Sequence, residues 1–484
     1  MREGAERKPD RVETGEKMKF LIFGTGDYYN RYKKWFARED IAALLDNAPQ
    51  KQHTFMDGVE ILPPEEGLRL SYDVIVILSF YVSQMKRQLV SLGVREERIF
   101  HFYDLHRLFG QNRRTWGSRY YQGAEETVKS PKGFPGKILL LSNDLTLGGP
   151  SIALFHAASV LKKRGYPVVY ASMLDGALRE ILVEHGIPVV VDENLQLATM
   201  EETEWVGTFS LIVCNTLNYH VFLSERNTDI PVLWWLHDAG FFYGGVRREV
   251  MESIPLSNLK AVSVGPVPEA AVREFLPGLE CGRLLYGVAD AAGNGEEGRE
   301  DSGNVCFATI GFLEERKGQD ILLRAIRMLP EDVRERCRFV IAGHDGTVFG
   351  EEIRRKSAGI PEIVFTGSIG REEIHGLLSR SDVLVCPSRQ DPMPTVAAEA
   401  MMHSVPCIVS DAVGTAAYLH DGEDGFVFSN GDAAALAGKM EQCVRGKERT
   451  AHMGKKARKL YETYFSMESF GENFMHILED MFEP

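Results

Sequence analysis

Short apolar runs alternate with amphipathic stretches along most of this chain. The first run lies in Lys19-Phe20-Leu21-Ile22-Phe23-Gly24-Thr25-Gly26, a strand passing into a glycine turn, and others follow at 41–45, 74–78 and 99–102. Helical patterns separate them, so a small parallel α/β sheet is predicted. A second series starts at Lys137-Ile138-Leu139-Leu140-Leu141-Ser142. Its turn, Leu147-Gly148-Gly149-Pro150-Ser151, opens a helix through 153–163, and strand-like runs return at 187–191, 211–214, 232–236 and 261–264. A third series runs through 305–310, 338–342, 363–365, 383–386, 407–409 and 425–428, and 466–481 reads as an amphipathic helix.

Two stretches break the alternation. Residues 111–136 mix arginine, glycine, proline and aromatics and read as a connector; 291–303 (AAGNGEEGREDSG) are acidic, glycine-rich and aperiodic, the mark of a flexible linker. The expected organisation is an accessory Rossmann-like domain at 18–110, a linker at 111–136, a doubly wound domain at 137–290, a linker at 291–303 and a second doubly wound domain at 304–484. The last helix is a candidate to cross back. Two such sheets enclose a cleft, and ligands of such sheets gather outside the carboxyl ends of the strands.

Bulk composition narrows the function classes. At 484 residues, 44% hydrophobic and 26% charged, the chain is globular and too long for one ordinary domain. A net charge of −14, with the acidic excess beyond residue 136, repels a phosphate backbone and argues against nucleic-acid binding. Seven scattered cysteines without CxxC spacing suggest buried free thiols in a reducing cytosol. No apolar stretch reaches the ~20 residues of a membrane span, and the charged start lacks a signal-peptide core, so a cytoplasmic protein is expected.

The candidate chemistry centres on Gln390-Asp391-Pro392-Met393-Pro394-Thr395-Val396-Ala397-Ala398-Glu399-Ala400-Met401. A helix is predicted to begin near Pro394, just after the 383–386 strand, because proline fits only the first helical turn. Asp391 then sits in the preceding loop and Glu399 on the second turn, flanking a helix N-terminus that can hold an anion. Carboxylates make poor phosphate ligands but good acceptors for sugar hydroxyls on either side of a diphosphate. Glu399 read alone is a solvated helix position; its spacing from Asp391 and the upstream Lys317 favours the binding role.

Asp391-x7-Glu399, followed by Ala400-Met401 and Pro406, resembles the E-x7-E signature of family 4 glycosyltransferases, retaining enzymes of GT-B fold. The resemblance covers roughly 137–484 and includes, in family order, Gly311-Phe312-Leu313-Glu314-Glu315-Arg316-Lys317-Gly318, Ala342-Gly343, Phe365-Thr366-Gly367-Ser368, 381–388 and 421–426, with Gly148-Gly149 and His237-Asp238 in the first half. It implies a GT-B fold and metal-independent transfer from a nucleotide-diphosphate sugar to a glycan or lipid-linked acceptor. Glu399 would take the donor ribose, Asp391 the hydroxyls of the transferred sugar, Lys317 the departing diphosphate and His237 a sugar hydroxyl. Donor contacts are further implied for Arg316, Gly148, Gly149, Gly311, Thr366, Gly367, Ser368, Pro392, Met393, Pro394 and Thr395. No cofactor is implied, and no Asp-x-Asp pair occurs to suggest a metal-dependent transferase of the other major fold.

The departures are specific. Phe312 stands where the family has an arginine, with Arg316 as a substitute; Asp391 replaces a glutamate; Met393-Pro394-Thr395 replaces Phe-Gly-Leu, so that Pro394 removes an N–H; and Tyr286-Gly287-Val288 replaces Asn-Gly-Val. Simpler readings stand beside the functional ones: His237, after two tryptophans, as a satisfied structural histidine, and Gly148-Gly149 as a plain turn.

In the accessory domain, Gly24-Thr25-Gly26 with Asp46 forms half of a dinucleotide fingerprint, with Tyr29 in place of the third glycine. The block is also similar to the small Rossmann-like domain at the front of sugar acyltransferases, and a ligand site and a docking role are both open. Arg107, Arg113, Arg114, Trp116, Arg119, Tyr120 and Tyr121 suit either peripheral contact at the inner membrane face or a solvated linker. The alternatives to an enzyme are a non-catalytic sugar-nucleotide-binding scaffold and, more remotely, a nicotinamide-dependent protein. Donor identity, acceptor and oligomeric state stay open.

Overall fold

A computed structural model describes residues 18–79, 81–109, 117–129, 136–292 and 304–482. The chain divides into two compact units: Met1–Thr115 with Gly244–Val246, and Trp116–Tyr243 with Arg247–Pro484.

The first unit is a six-stranded sheet built from β1 (Phe20–Phe23), β2 (Ile41–Leu45), β3 (Phe55–Met56), β4 (Val59–Leu62), β5 (Val74–Ile77) and β6 (Ile99–His101). Their order is β3-β4-β2-β1-β5-β6, parallel except for the β3–β4 pair. The central strands are apolar on both faces because helices cover both, as a parallel sheet requires.

The second unit holds two sheets. One consists of β7 (Arg119–Tyr121), β8 (Ile138–Ser142), β9 (Val168–Ser172), β10 (Val189–Val191), β11 (Leu211–Asn215), β12 (Val232–Leu236), β13 (Leu259–Ser263) and β14 (Cys281–Arg283), ordered β14-β13-β12-β11-β8-β9-β10-β7. The other consists of β15 (Val305–Ile310), β16 (Cys337–Ala342), β17 (Ile363–Gly367), β18 (Val383–Cys386), β19 (Cys407–Ser410) and β20 (Gly425–Phe428), ordered β17-β16-β15-β18-β19-β20. In each sheet the strand order reverses near the middle, between β8 and β11 and between β15 and β18.

One hydrophobic cluster runs through both halves of this unit, joining Leu140 and Trp235 to Ala397, Met401 and Phe470. The terminal helix Met467–Phe482 lies against the first of these sheets. Phe470 stacks on Trp235 at 5.7 Å, and Val288 N–H donates to the Phe465 carbonyl at 2.7 Å where the chain crosses.

The expected 111–136 linker differs from the structure. Arg119–Tyr121 is a strand, antiparallel to β10, and Ala124–Lys129 is a helix with Ala124 and Val128 buried. The basic-aromatic composition that read as a connector serves an edge: the Arg179 guanidinium covers the Tyr121 ring at 4.8 Å. Arg113, Arg114, Trp116 and the Arg107 side chain fall outside the described residues, as do 293–303 of the second linker. The strands β3, β4, β9 and β14 are additions to the sequence reading. Among the described residues no helix is long and apolar enough to cross a membrane, and all seven cysteines are free thiols.

Candidate functional site

The loops after β15 and β18 adjoin at the strand-order reversal of the second unit's latter sheet. After β18 the chain runs extended through 387–394 and enters the helix Thr395–Met402, with Pro394 as its N-cap at φ −67° and ψ 123°. The helix therefore starts one residue later than the sequence suggests. Pro394 removes no donor from its first turn: the N–H groups of Thr395 and Val396 have no acceptor among the described residues, while Ala397 N–H donates to the Pro394 carbonyl at 3.1 Å.

Both carboxylates of the 390–401 stretch are buried and each is held by a cation. Asp391 Oδ2 accepts from Lys317 Nζ at 2.6 Å, with Arg316 Nη1 3.8 Å away. Glu399, its side chain 5% exposed, accepts from Arg371 Nη2 at 2.9 Å. Lys317 closes a short turn, Glu315–Lys317, that ends on Gly318 at φ +71°. A Cβ at Gly318 would overlap the Pro387 carbonyl, so the close apposition of the two loops requires glycine there. Gly311, with φ +149°, lies against the Lys317 stem.

Arg316, expected to replace the missing arginine, is committed elsewhere. Its Nη2 donates to Glu314 Oε1 at 2.6 Å and its Nη1 to the Gln390 carbonyl at 3.1 Å, so it braces the Asp391 loop. Phe312 is 63% exposed, its ring beside His344.

The opposite wall comes from the first sheet of the unit. Gly148 is the N-cap of the helix Gly149–Lys163, and a Cβ on Gly149 would stand 3.4 Å from Thr395 Cγ2, so two helix starts face each other at close range. His237 follows β12. Its Nε2 is buried without a partner among the described residues, and burial pushes its pKa down to about 3, leaving a neutral imidazole. Burial pushes neighbouring Asp238 up to about 6, opposed by the N–H of Leu217, which donates to it at 2.6 Å. The same loop meets the Asp391 loop, Phe241 N–H donating to Gln390 Oε1 at 3.4 Å.

Between these walls lies a cavity of about 50 Å³ lined by residues that include Gly149, His156, Tyr286, Arg371, Thr395 and Glu399. A smaller one of about 10 Å³ is bounded by Lys317, Asp391 and Pro394. Tyr286 donates to the Met393 carbonyl at 3.1 Å; burial first, then the Asp391 and Glu399 carboxylates, raise its pKa well above the ordinary phenol value. His156 Nδ1–H donates to the Gly287 carbonyl at 2.8 Å, and burial lowers its pKa.

The structure thus brings together Lys317, Asp391, Glu399, Gly149, Pro394 and Thr395. Pro392 and Met393 meet the first sheet's side through their carbonyls. Thr366, Gly367 and Ser368 end β17, at the sheet's edge, and line neither cavity; Arg371, three residues on, does. Arg371, His156 and Tyr286 are additions to the predicted set. The one trace of Arg371 in the sequence is its place at a helix start after Gly370, an unfavourable position for a cation that no local partner explains. Among the described residues no cluster of three or more His, Cys, Asp or Glu is arranged to hold a metal ion. Gly24, Gly26 and Asp46 belong to the first unit, where Thr25 Oγ1 donates to Asp46.

Comparison with known proteins matches three family models: "C2185-like, N-terminal" over 16–100, "Glycosyl-transferase family 4" over 135–259 and "Glycosyl transferases group 1" over 295–460. Spore coat protein SA of Bacillus subtilis is 22% identical over 69% of this chain and 95% of its own length. A Campylobacter jejuni alpha-1,4-N-acetyl-D-galactosaminyltransferase, named for a PP-undecaprenol-linked acceptor, is 34% identical over 27% of this chain and 36% of its own. Among solved structures, Anabaena HepE in complex with UDP and glucose superposes with a TM-score of 0.59 at 18% identity, covering 71% of this chain and 99% of its own, which establishes the GT-B fold.

Proposed function

Residues 135–259 and 295–460 are glycosyltransferase domains, and from that premise we propose a retaining, metal-independent enzyme that moves a sugar from a nucleotide-diphosphate donor to a glycan or lipid-linked acceptor in cell-surface polysaccharide assembly. The observation that carries this reading is the pair of buried carboxylates, each matched to a cation, beside an open helix start: Lys317 with Asp391, and Arg371 with Glu399. A departing diphosphate is best stabilised by positive charge already in place when the bond breaks. Lys317 supplies that charge, and the N–H groups of Thr395 and Val396 at the positive end of their helix add to it. Asp391 positions the ammonium before the donor arrives and then accepts from hydroxyls of the bound sugar. Glu399 keeps one oxygen for the ribose while Arg371 holds the other.

His237 lines neither cavity, and a role toward a sugar hydroxyl is carried for it by the family resemblance alone; its neutral Nε2 is buried and unpartnered among the described residues. With both carboxylates tied to cations, the favoured route has the acceptor oxygen attack from the face that the diphosphate leaves. The new carbon–oxygen bond forms as the old one breaks, and the acceptor proton passes to the leaving phosphate oxygen. The relatives support the substrate class: HepE was crystallised with UDP-glucose, and the Campylobacter transferase carries undecaprenol in its acceptor's name. An acceptor of that kind would put the reaction at the inner face of the membrane.

Lys317→Ala and Glu399→Ala are expected to lower sugar transfer at least ~10²-fold, the usual scale for losing one charge-stabilising group; Lys317→Ala also lowers the unfolding temperature, because it leaves the Asp391 carboxylate buried without its cation. Transfer at the unaltered rate in both variants would remove this site assignment. The anomeric configuration of the product, read by NMR, tests retention, and activity in EDTA tests metal independence. Exposed Phe312, where a cation is expected, favours one second reading, a non-catalytic donor-binding protein; thermal stabilisation by a sugar nucleotide without turnover would select it.

A further inference from the structure

The first unit holds a cavity of about 380 Å³ at the carboxyl ends of β1, β2 and β5. From β1 the chain builds β2 and β4 on one side and then β5 and β6 on the other, so this cavity lies at the sheet's own reversal point, where open α/β sheets bind ligands. Its volume suits a small molecule. The backbone is shaped for close approach. Gly24, at φ +111°, would put a Cβ 2.5 Å from the Leu78 carbonyl, and a Cβ at Gly26 would meet nothing within 4 Å.

The lining speaks against an anion. Asp46 and Asp27 both face this space, and Asp27 is the first residue of the helix Asp27–Tyr32, where a pyrophosphate would otherwise rest. That helix is only six residues long, and Tyr29, in the place of the third fingerprint glycine, is buried in the core. Two aspartates line the cavity and no lysine or arginine among the described residues does. Lys51 Nζ lies 3.3 Å from Asp46 Oδ2 and 3.2 Å from Thr25 Oγ1, and Arg31 covers the Tyr28 ring at 5.0 Å. What the wall offers instead is acceptors and aromatic surface. Asp46 Oδ1 accepts the Ala48 N–H at 2.9 Å and retains a second lone pair, and Tyr81 presents a half-exposed ring.

We propose that this cavity is a second small-molecule site, separate from the transferase cleft, for an uncharged hydroxyl-bearing ring, with Asp46 accepting a hydroxyl and Tyr81 covering the ring face. A free sugar and the ribose end of a nucleoside share that chemistry. Calorimetry on the full chain carrying Lys317→Ala and Glu399→Ala, which silence the cleft, separates them: one arm uses neutral mono- and disaccharides, the other nucleosides with their mono- and diphosphates. One neutral class is expected to bind, at least tenfold more weakly in Asp46→Ala and in Tyr81→Ala, and each added phosphate is expected to weaken binding. Gly26→Val, at a negative φ of −92° and with nothing within 4 Å of a built Cβ, intrudes on the cavity, so it should weaken binding in a folded protein even where Asp46→Ala fails to fold. Tighter binding of the diphosphate than of its nucleoside, no binding of either neutral class, or binding indifferent to Tyr81→Ala and Gly26→Val would overturn the proposal.

Discussion

His237 and Asp238 are sequence neighbours that burial drives in opposite directions, to about 3 and about 6. The folded chain refuses a proton at His237 that the unfolded chain accepts below about 6.5, so this residue costs stability increasingly as pH falls from there toward 3. Asp238 binds its proton more tightly when folded; its protonated form favours the fold, and that contribution is lost as pH rises from about 4 through 6. Between pH 6.5 and 4.5, the fall in unfolding temperature should therefore be smaller in His237→Gln than in the parent and larger in Asp238→Asn. Equal falls in all three would contradict this assignment of charge. At this scale the sequence exposed the residues whose partners belong to a motif, such as Lys317 and Asp391. Arg371 stayed hidden because it belongs to no motif in the sequence, and only folding brings it to Glu399.

At the scale of elements, the loop that carries Lys317 is set by Gly318. Two costs combine there: a left-handed backbone and the absence of room beside Pro387. Gly359, at φ +88° with nothing within 4 Å of a built Cβ, isolates the first cost. Gly359→Ala is expected to destabilise by about 1 kcal/mol and Gly318→Ala by ~2–4 kcal/mol in urea titrations, with transfer impaired only in the second. Similar losses in both would mean that loop apposition contributes nothing. The parallel strands were readable because strands buried on both faces are continuous apolar runs, as in 232–236. The edge strand β7 was not, since its arginine and tyrosines face a boundary and break the pattern. The same limit displaced the start of the helix after Pro394 by one residue.

At the scale of the whole second unit, the cavity between the two helix starts measures about 50 Å³, against the ~300 Å³ or more that a ligand of donor size occupies. A donor that enters through this gap has to separate its two walls. Gly149→Cys combined with Thr395→Cys places two thiols across the closed gap, within bonding reach if the 3.4 Å approach of Gly149 to Thr395 persists. Oxidation should abolish donor binding and transfer, and reduction should restore both; transfer by the oxidised, cross-linked protein would exclude entry by opening. The sequence by itself determined the α/β class and the places of most strands along the chain, because periodicity is a property of neighbouring residues, and its resemblance to a known family pointed to Lys317, Asp391 and Glu399. Tertiary structure alone decided that Arg371 holds Glu399, that Arg316 is spent as a brace, that Tyr286 lies beside both acids and that residues after 116 join the second unit. Those pairings join segments distant in the chain, and their energies exist only once the sheets have brought the segments within a few ångströms of each other.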